Sequence, residues 1–343
     1  MYPQLFRDVK AKLEDKGVVL SADGLPLYEQ SGYGRPEKDG IRVSPAEALY
    51  LVHRGKIEIE EFDFESLLLY YAKEENFLRK YLVYRDIRER GYVVQTGPHD
   101  FRVFRRGQKP GKGESQYLIR VLSERNLIKF DLLIEDVSSA RNMRKQYVLA
   151  VVDDEDELTY YEIKIQEVPV SGAMTVPDRH EAIICGKSIL VHVPRNSDLE
   201  EQGFGTRLDD DRLFVSPVEA AYLIGKEAMQ LNENGKPVTP EEFIASSMTS
   251  DQELQEKVAV FTDLRNRGYT PRTGYKFGHH FRVYSGEKVH SEMLVHAVAR
   301  DAAIPMSTIS RSVRMAHSVK KKMFFGCVYN QRIQYVEFGR IKL

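Results

Sequence analysis

The sequence contains no tryptophan and only two cysteines among its 343 residues. Cys185 and Cys327 stand far apart with no CxxC or CxxxC spacing, so neither a disulfide framework nor a cysteine-rich zinc site is indicated. Long apolar runs are missing too: no window approaches the roughly 18 consecutive apolar residues that a membrane helix requires. The opening MYPQLFRDVKAKLEDKG lacks the apolar stretch of a signal peptide, so the cytoplasm is the expected compartment and no membrane partner is expected. The glycine-containing turns GYGR (32–35) and GFGT (203–206) do not have the spacing of a phosphate loop. What remains, with 42% apolar and 29% charged residues, is the composition of an ordinary folded chain, and its length suggests two domains, each able to bury its own core.

The formal net charge is −1, but it is unevenly spread. Residues 257–343 carry 16 Lys and Arg against 5 Asp and Glu, a balance of +11 that leaves −12 for everything before them. A strongly basic last quarter on an acidic remainder points to polyanion binding by the basic part, although a solvated lysine-rich surface has the same composition.

The chain also repeats itself. VSPAEALYL (43–51) returns as VSPVEAAYL (215–223), and SGYGR (31–35) returns upstream as QGFGT (202–206). YRDIRERGYVVQTG (84–97) returns as FTDLRNRGYTPRTG (261–274), with FRV following in both copies. SQYLIRV (115–121) matches SEMLVHA (291–297), and ARNMRKQYVLAVV (140–152) matches AHSVKKKMFFGCV (316–328). The offset drifts only from 171 to 180, which implies two similar folds produced by duplication, with a junction near 167–180 where VPVSGAMTVPDRHE gathers Pro, Gly and Ser.

Each copy reads alike. The motif SPxEAxYL supplies Ser and Pro as N-cap and N1 of a helix, whose apolar spacing runs on through LIGKEAMQL in the second copy. A helix is expected at PEEFIASSM, and another over ELQEKVAVFTDLRNRG, closed by Gly268. The β-rich runs YTPRTG, HHFRVYS, MLVHAVA, VKKKMFFGCVY and IQYVEFGRIKL follow. The expected fold is α+β or mixed α/β: a tandem duplication in which each repeat is an N-terminal α/β subdomain followed by a β-rich C-terminal one.

Two copies of one scaffold show which chemical groups differ. FRVY ends in Tyr284 where the first copy has Phe104, His290 stands where the first copy has Glu114, and Lys321 aligns with Lys145. The window 80–166, equivalent to the basic last quarter, has a balance of only +2. Tyr, His and Lys without paired carboxylates suit metal-independent cleavage of RNA, in which the ribose 2′-hydroxyl attacks the adjacent phosphorus. One group must take a proton, another must protonate the 5′-oxygen, and a cation must stabilise the added negative charge. An imidazole suits the acid and an ammonium the cation, while a phenol, only about one part in a thousand ionised at pH 7, needs nearby cations to act as base. The clustered Arg314, Lys320, Lys321 and Lys322 are candidates to supply them.

YKFGHHFRVY (275–284), HSEMLVHAV (290–298) and VRMAHSVKKKMFF (313–325) together resemble the catalytic region of archaeal tRNA-splicing endonucleases. The resemblance covers nearly the whole chain, in the duplicated homodimeric form with one degenerate and one active copy. It implies a degenerate repeat over 1–168 and a catalytic repeat over 169–343, the latter with an N-terminal subdomain at 180–254 and a nuclease-like one at 255–343. By position it makes Tyr284 the general base, His290 the general acid and Lys321 the transition-state stabiliser, with a Tyr-to-His separation of six residues that is short for the family. The implied substrate is a bulge–helix–bulge in precursor tRNA, cut to a 2′,3′-cyclic phosphate and a 5′-hydroxyl without cofactor or metal. Two arginines of the family hold a bulged base between guanidinium planes; Arg314 matches the first, and Arg340, with Arg332 as competitor, the second. Lys320 and Lys322 are expected to contact phosphate.

The acidic run Asp153, Asp154, Glu155, Asp156 and Glu157 falls where the last two strands of the first copy should turn; the second copy has Tyr329-Asn330-Gln331-Arg332 there. As a hairpin loop it would simply be solvated. The resemblance implies instead that it docks in a basic pocket on a second subunit, giving a homodimer with two active centres. His279, His280, His290 and His296 fit no zinc spacing and have no carboxylate cluster beside them in sequence, and His317 reads as a local cap or packing residue. Two other functional classes compare less well. A silent RNA-binding or scaffolding subunit would not need Tyr, His and Lys together, and a DNA endonuclease would want the paired acids that 257–343 lacks, so no DNA partner is expected.

Overall fold

The computed structural model describes residues 9–14, 17–173, 175–186, 188–286, 290–329 and 332–343. The principal helices of the first copy are α1 (Pro45–His53), α2 (Phe77–Glu89) and α3 (Phe130–Asn142). Those of the second are α4 (Pro217–Gly225), α5 (Pro240–Met248), α6 (Leu254–Asn266) and α7 (Met306–Ser318). The repeated SPxEA motif forms a capping box in both copies, with Ser44 and Ser216 as N-caps and Pro45 and Pro217 in the first turn. Its glutamates are buried, and each carboxylate collects two backbone N–H groups: Ser44 and Gly34 donate to Glu47, Ser216 and Gly205 to Glu219. Gly34 and Gly205 take left-handed φ values of 67° and 66°, and a Cβ there would press on a backbone oxygen. The repeated glycine turn and the repeated helix are therefore one buried unit that holds each N-terminal sheet to its helix.

Two expectations about elements need correcting. Helix α4 stops at Gly225, and Met229–Glu233 is a strand paired in parallel with His180–Cys185. Glu227 adopts φ 59° between them, and Met229 and Leu231 are buried in strand alternation. The strand in VKKKMFFGCVY begins only at Lys322; the residues before it cap α7, a helix that the β-rich reading of this region misses. Its Ser307, Thr308, Ser310 and Ser312 are weak helix formers, so burial of Met306, Ile309, Val313 and Ala316 on one face decides its conformation.

The C-terminal halves of both copies share one ten-stranded sheet. Its strands are β1 (Val94–Thr96), β2 (Phe101–Phe104), β3 (Ser115–Ser123), β4 (Gln146–Val152) and β5 (Leu158–Gln166) from the first copy. The second copy gives β6 (Tyr269–Thr273), β7 (Phe281–Ser285), β8 (Met293–Ala299), β9 (Lys322–Tyr329) and β10 (Arg332–Ile341). The spatial order β6-β7-β8-β9-β10-β5-β4-β3-β2-β1 reads the same from either edge once equivalent strands are matched. The copies join through antiparallel β5 and β10, with Ile163 opposite Phe338. Tyr147 pairs with Ile163 as its counterpart Met323 pairs with Phe338, so each of these two seam residues faces its own equivalent. Ile128 and Ile304 likewise face each other, and the Phe130 and Met306 N–H groups donate reciprocally to Ala302 and Asn126. The molecule thus carries an internal twofold axis through this seam.

Three apolar cores follow. One lies within each copy, and the third, under α3 and α7, is shared. Phe130, Phe325 and Phe338 meet at its centre with ring centroids 5.1–6.3 Å apart. Phe338 is 2% exposed, so Phe338→Ala is expected to cost about 3–5 kcal/mol through lost burial and a cavity at the seam. Urea denaturation of the two proteins checks this; a midpoint unchanged from the parent would mean that the seam is not a cohesive core.

Candidate active site

Strand register brings the candidate residues to one end of the sheet. Val283 on β7 pairs with Met293 on β8, Met293 pairs with Lys322 on β9, and Met323 pairs with Phe338 on β10. Tyr284 therefore lies beside Glu292, Lys321 immediately precedes β9 at the same level, and Arg340 lies two residues beyond Phe338. Ser285 Oγ donates to Glu292 Oε2 at 2.8 Å and ties the ends of β7 and β8 together.

The end of α7 aims Lys321. Lys320 turns the chain at φ 54°; its N–H donates to the His317 carbonyl and the Lys321 N–H to the Ala316 carbonyl, at 3.0 and 2.8 Å. This is a Schellman closure with lysine in the left-handed position usually given to glycine. The first copy makes the same closure with Arg144 at φ 56°, so the geometry belongs to the scaffold and not to the chemistry. Lys321 Nζ then donates to the Ser291 carbonyl at 2.7 Å, which ties the ammonium to the residue that follows His290. In the first copy the matching lysine, Lys145, sits 3.3 Å from Glu114, the counterpart of His290, and its charge is neutralised.

His290 and Lys321 line a cavity of about 1230 Å³ together with His317, Lys320 and Lys322. His290 is exposed, as are Arg314 and His317 on α7, Lys320 just beyond it and Arg340 on β10. Lys322, itself exposed, is 3.4 Å from the half-buried Glu337. Tyr284 is not on the wall of this cavity, and among the described residues no hydrogen bond joins it to His290 or Lys321. Residues 287–289 of the short Tyr284–His290 connection lie outside the described residues. A cation missed in the sequence is Arg282, whose guanidinium carbon lies 5.7 Å from the Tyr284 ring centre. The i, i+2 spacing on a strand was the available signal, but FRV occurs in both copies and so was invisible to a comparison of differences. His317 makes no side-chain hydrogen bond among the described residues, so the expected local cap is not formed.

Arg332 stands at the opposite end of β10 from Arg340, about 26 Å away at strand rise. The acidic run forms the turn between β4 and β5: Asp153 accepts the N–H groups of Glu155 and Glu157 at 2.9 Å, Asp154 pairs with Arg125, and residues 154–157 are exposed. In the matching turn of the second copy, Asn330 and Gln331 are outside the described residues. A separate cavity of about 680 Å³ opens between the subdomains of the second copy, lined by Lys257, Arg272, Arg282, His279 and Glu219 among others; Lys257 pairs with Asp251 at 2.8 Å and Arg272 with Glu219 at 3.5 Å, while Arg282 has no ion pair among the described residues.

The histidines behave differently in space than in sequence. Glu253, His280 and His296 come together with ligand atoms within 4.8 Å of one another, a proximity that their spacing hides. His280 Nδ1 accepts the Ala297 N–H at 3.0 Å, which leaves the ring proton on Nε2, directed to Glu253 at 3.2 Å. Coordination through Nε2 would require that proton to leave while Nδ1 stays occupied, so His280 is a poor ligand. Burial is the first cause holding all three imidazoles neutral, with His279 lowered to about 4; neighbouring His296 adds to the effect on His279 and His280. In the first copy Asp100 takes the place of His280, accepting the Val121 N–H at 2.8 Å and pairing with Lys80 at 2.9 Å. The cluster is thus a variant of a structural joint.

Comparison with known proteins agrees with this architecture. The family model described as tRNA intron endonuclease, catalytic C-terminal domain, matches residues 77–160 and again 254–335. The model of the N-terminal domain of the same family matches 9–68 and 182–244. The chain is 36% identical to a tRNA-splicing endonuclease of Methanosarcina mazei, with 98% of this chain and 99% of the relative covered. It is 37% identical to that of Methanosarcina barkeri, covering 98% and 100%, and 34% identical to that of Natronomonas pharaonis, covering 97% and 99%. With both domains of the family present twice and its relatives matched from end to end, the chain belongs to the tRNA intron endonuclease family and is an endoribonuclease.

Proposed function

We propose that this endoribonuclease cuts precursor tRNA at bulge–helix–bulge intron boundaries by metal-independent attack of the ribose 2′-hydroxyl. Tyr284 takes the proton from O2′, helped by the cationic Arg282 beside its ring. O2′ bonds to phosphorus while the bond to O5′ breaks, His290 protonates O5′, and Lys321 stabilises the negative charge that builds on the phosphoryl oxygens. The products are a 2′,3′-cyclic phosphate and a 5′-hydroxyl. The observation that carries this reading is the contrast between copies. Lys321 shares a cavity with His290, whereas Lys145 is neutralised by Glu114. Arg314 and Arg340 stack on a bulged base, and Lys320 and Lys322 contact phosphate.

The working particle is a homodimer. The exposed 153–157 turn of one chain inserts into the cavity lined by Lys257, Arg272 and Arg282 in the catalytic copy of the other. An acidic turn in the first copy and cations in the second allow both contacts to form around a single twofold axis.

Cleavage of an intron-containing precursor tRNA is expected to persist in excess EDTA and to leave cyclic-phosphate ends; loss of cleavage on chelation refutes the mechanism. His290→Ala should lower the single-turnover rate by roughly 10²–10⁴ with RNA affinity nearly unchanged, and a fully active variant removes the acid assignment. Lys320→Gly should stabilise the fold by about 1 kcal/mol, because glycine accepts φ 54° freely, while weakening RNA binding. Thermal unfolding and filter binding of that variant read the two effects separately. Replacing the five acids of 153–157 by Asn and Gln should shift the mass in solution from dimer toward monomer, and an unchanged mass would make the turn a plain surface loop.

A further inference from the structure

A further cationic cavity lies at the other end of β9 and β10 from Lys321, roughly 25 Å along the strands. It measures about 1110 Å³ and is lined by Arg141, Arg267, Arg300, Arg332, Tyr329 and Tyr335 among others. Arg267 is engaged by Asp263 at 2.7 Å and by the Val168 carbonyl. Among the described residues no ion pair neutralises Arg141, Arg300 or Arg332. The Arg300 guanidinium carbon lies 4.2 Å from the centre of the Tyr329 ring, which is 49% exposed.

Duplication gives this cavity its meaning. Arg300 precedes α7 by six residues, as Glu124 precedes α3. Tyr329 pairs with Arg332 at the β9–β10 turn, where the first copy bonds Asp153 to Glu157. At these three equivalent positions one copy is wholly acidic and the other is Arg, Tyr and Arg, on equivalent strands of the sheet. The choice of arginine matters: its planar fork grips phosphate oxygens in pairs and stacks on aromatic and base rings. A half-exposed tyrosine under an arginine is a platform on which a nucleotide base can continue the stack.

We propose that this cavity is a second RNA site, separate from the cleavage site, in which unpaired arginines hold backbone phosphates and the Arg300–Tyr329 stack receives a base of the precursor. The proposal rests on precursor tRNA being the substrate. It places the contact on a part of the RNA that a short bulge–helix–bulge hairpin does not contain.

The test compares full-length precursor tRNA with a minimal bulge–helix–bulge hairpin, in filter binding over a range of salt and in cleavage. Arg141→Ala/Arg300→Ala should weaken binding of the full precursor roughly tenfold and flatten its salt dependence by one to two phosphate equivalents, while hairpin binding and cleavage stay at parent level. Arg141 is exposed on α3, so Arg141→Glu tests the same site without burdening folding and should weaken the full precursor in the same way. Equal loss on both RNAs, or loss on neither, overturns the site. A shift of the Arg141→Glu protein from dimer to monomer mass with RNA binding intact overturns RNA as the occupant in favour of a protein. Failure of the parent enzyme to cleave precursor tRNA would instead refute the substrate reading on which the proposal stands.

Discussion

The pairing of β5 with β10 is the contact on which the other features depend. It joins two folded copies edge to edge, so that ten strands form one sheet and neither copy leaves its innermost strand open to solvent. It also fixes register. Because Ile163 faces Phe338 and strand side chains alternate, a slip of one residue would expel the shared phenylalanine cluster from under α3 and α7. The antiparallel seam also sends the two hairpin turns to opposite ends of the joint sheet, and the β9–β10 register brings Arg340 to the level of Lys321.

Within this symmetric frame the copies have diverged in charge more than in shape. The Schellman closure that ends α7 also ends α3, and the buried carboxylate of the SPxEA helix recurs in both N-terminal subdomains. Where the copies differ, an acid in the first often faces a base or neutral imidazole in the second: Glu114 against His290, Asp100 against His280, Glu124 against Arg300. Such exchanges leave a scaffold intact when each residue is partly solvated or finds an equivalent hydrogen bond. His280, for example, keeps the backbone N–H bond made by Asp100. The positive balance is concentrated in residues 257–343, at +11 against +2 for the equivalent window 80–166, which suits the second copy's C-terminal part to nucleic acid.

Much of the candidate site was legible from residues alone because the duplication supplied its own control. Tyr284 and His290 stood out as groups present in one copy and absent from the other, and Lys321 as the cation common to both. Arg282, also common to both copies, is marked only by its place beside the Tyr284 ring, which the strand geometry supplies. The helix α7 escaped because its serines and threonine gave a weak local signal, and burial of its apolar face settled its conformation. The separation of Arg332 from Arg340 along β10 follows simply from strand rise, yet it required the start and end of that strand to be known.

The sequence by itself determined the duplication, the mixed α/β character and the imbalance of charge, and it nominated the candidate reactive groups, since each is carried by local pattern or by a comparison of aligned copies. Only the tertiary structure decided which groups meet. The Lys321 ammonium reaches the Ser291 carbonyl from thirty residues away, Glu253 joins histidines far along the chain, and four arginines from separated segments surround one cavity. These are products of strand register and packing between distant segments. Sequence spacing is silent about such contacts because their geometry is set by the sheet and not by the intervening chain.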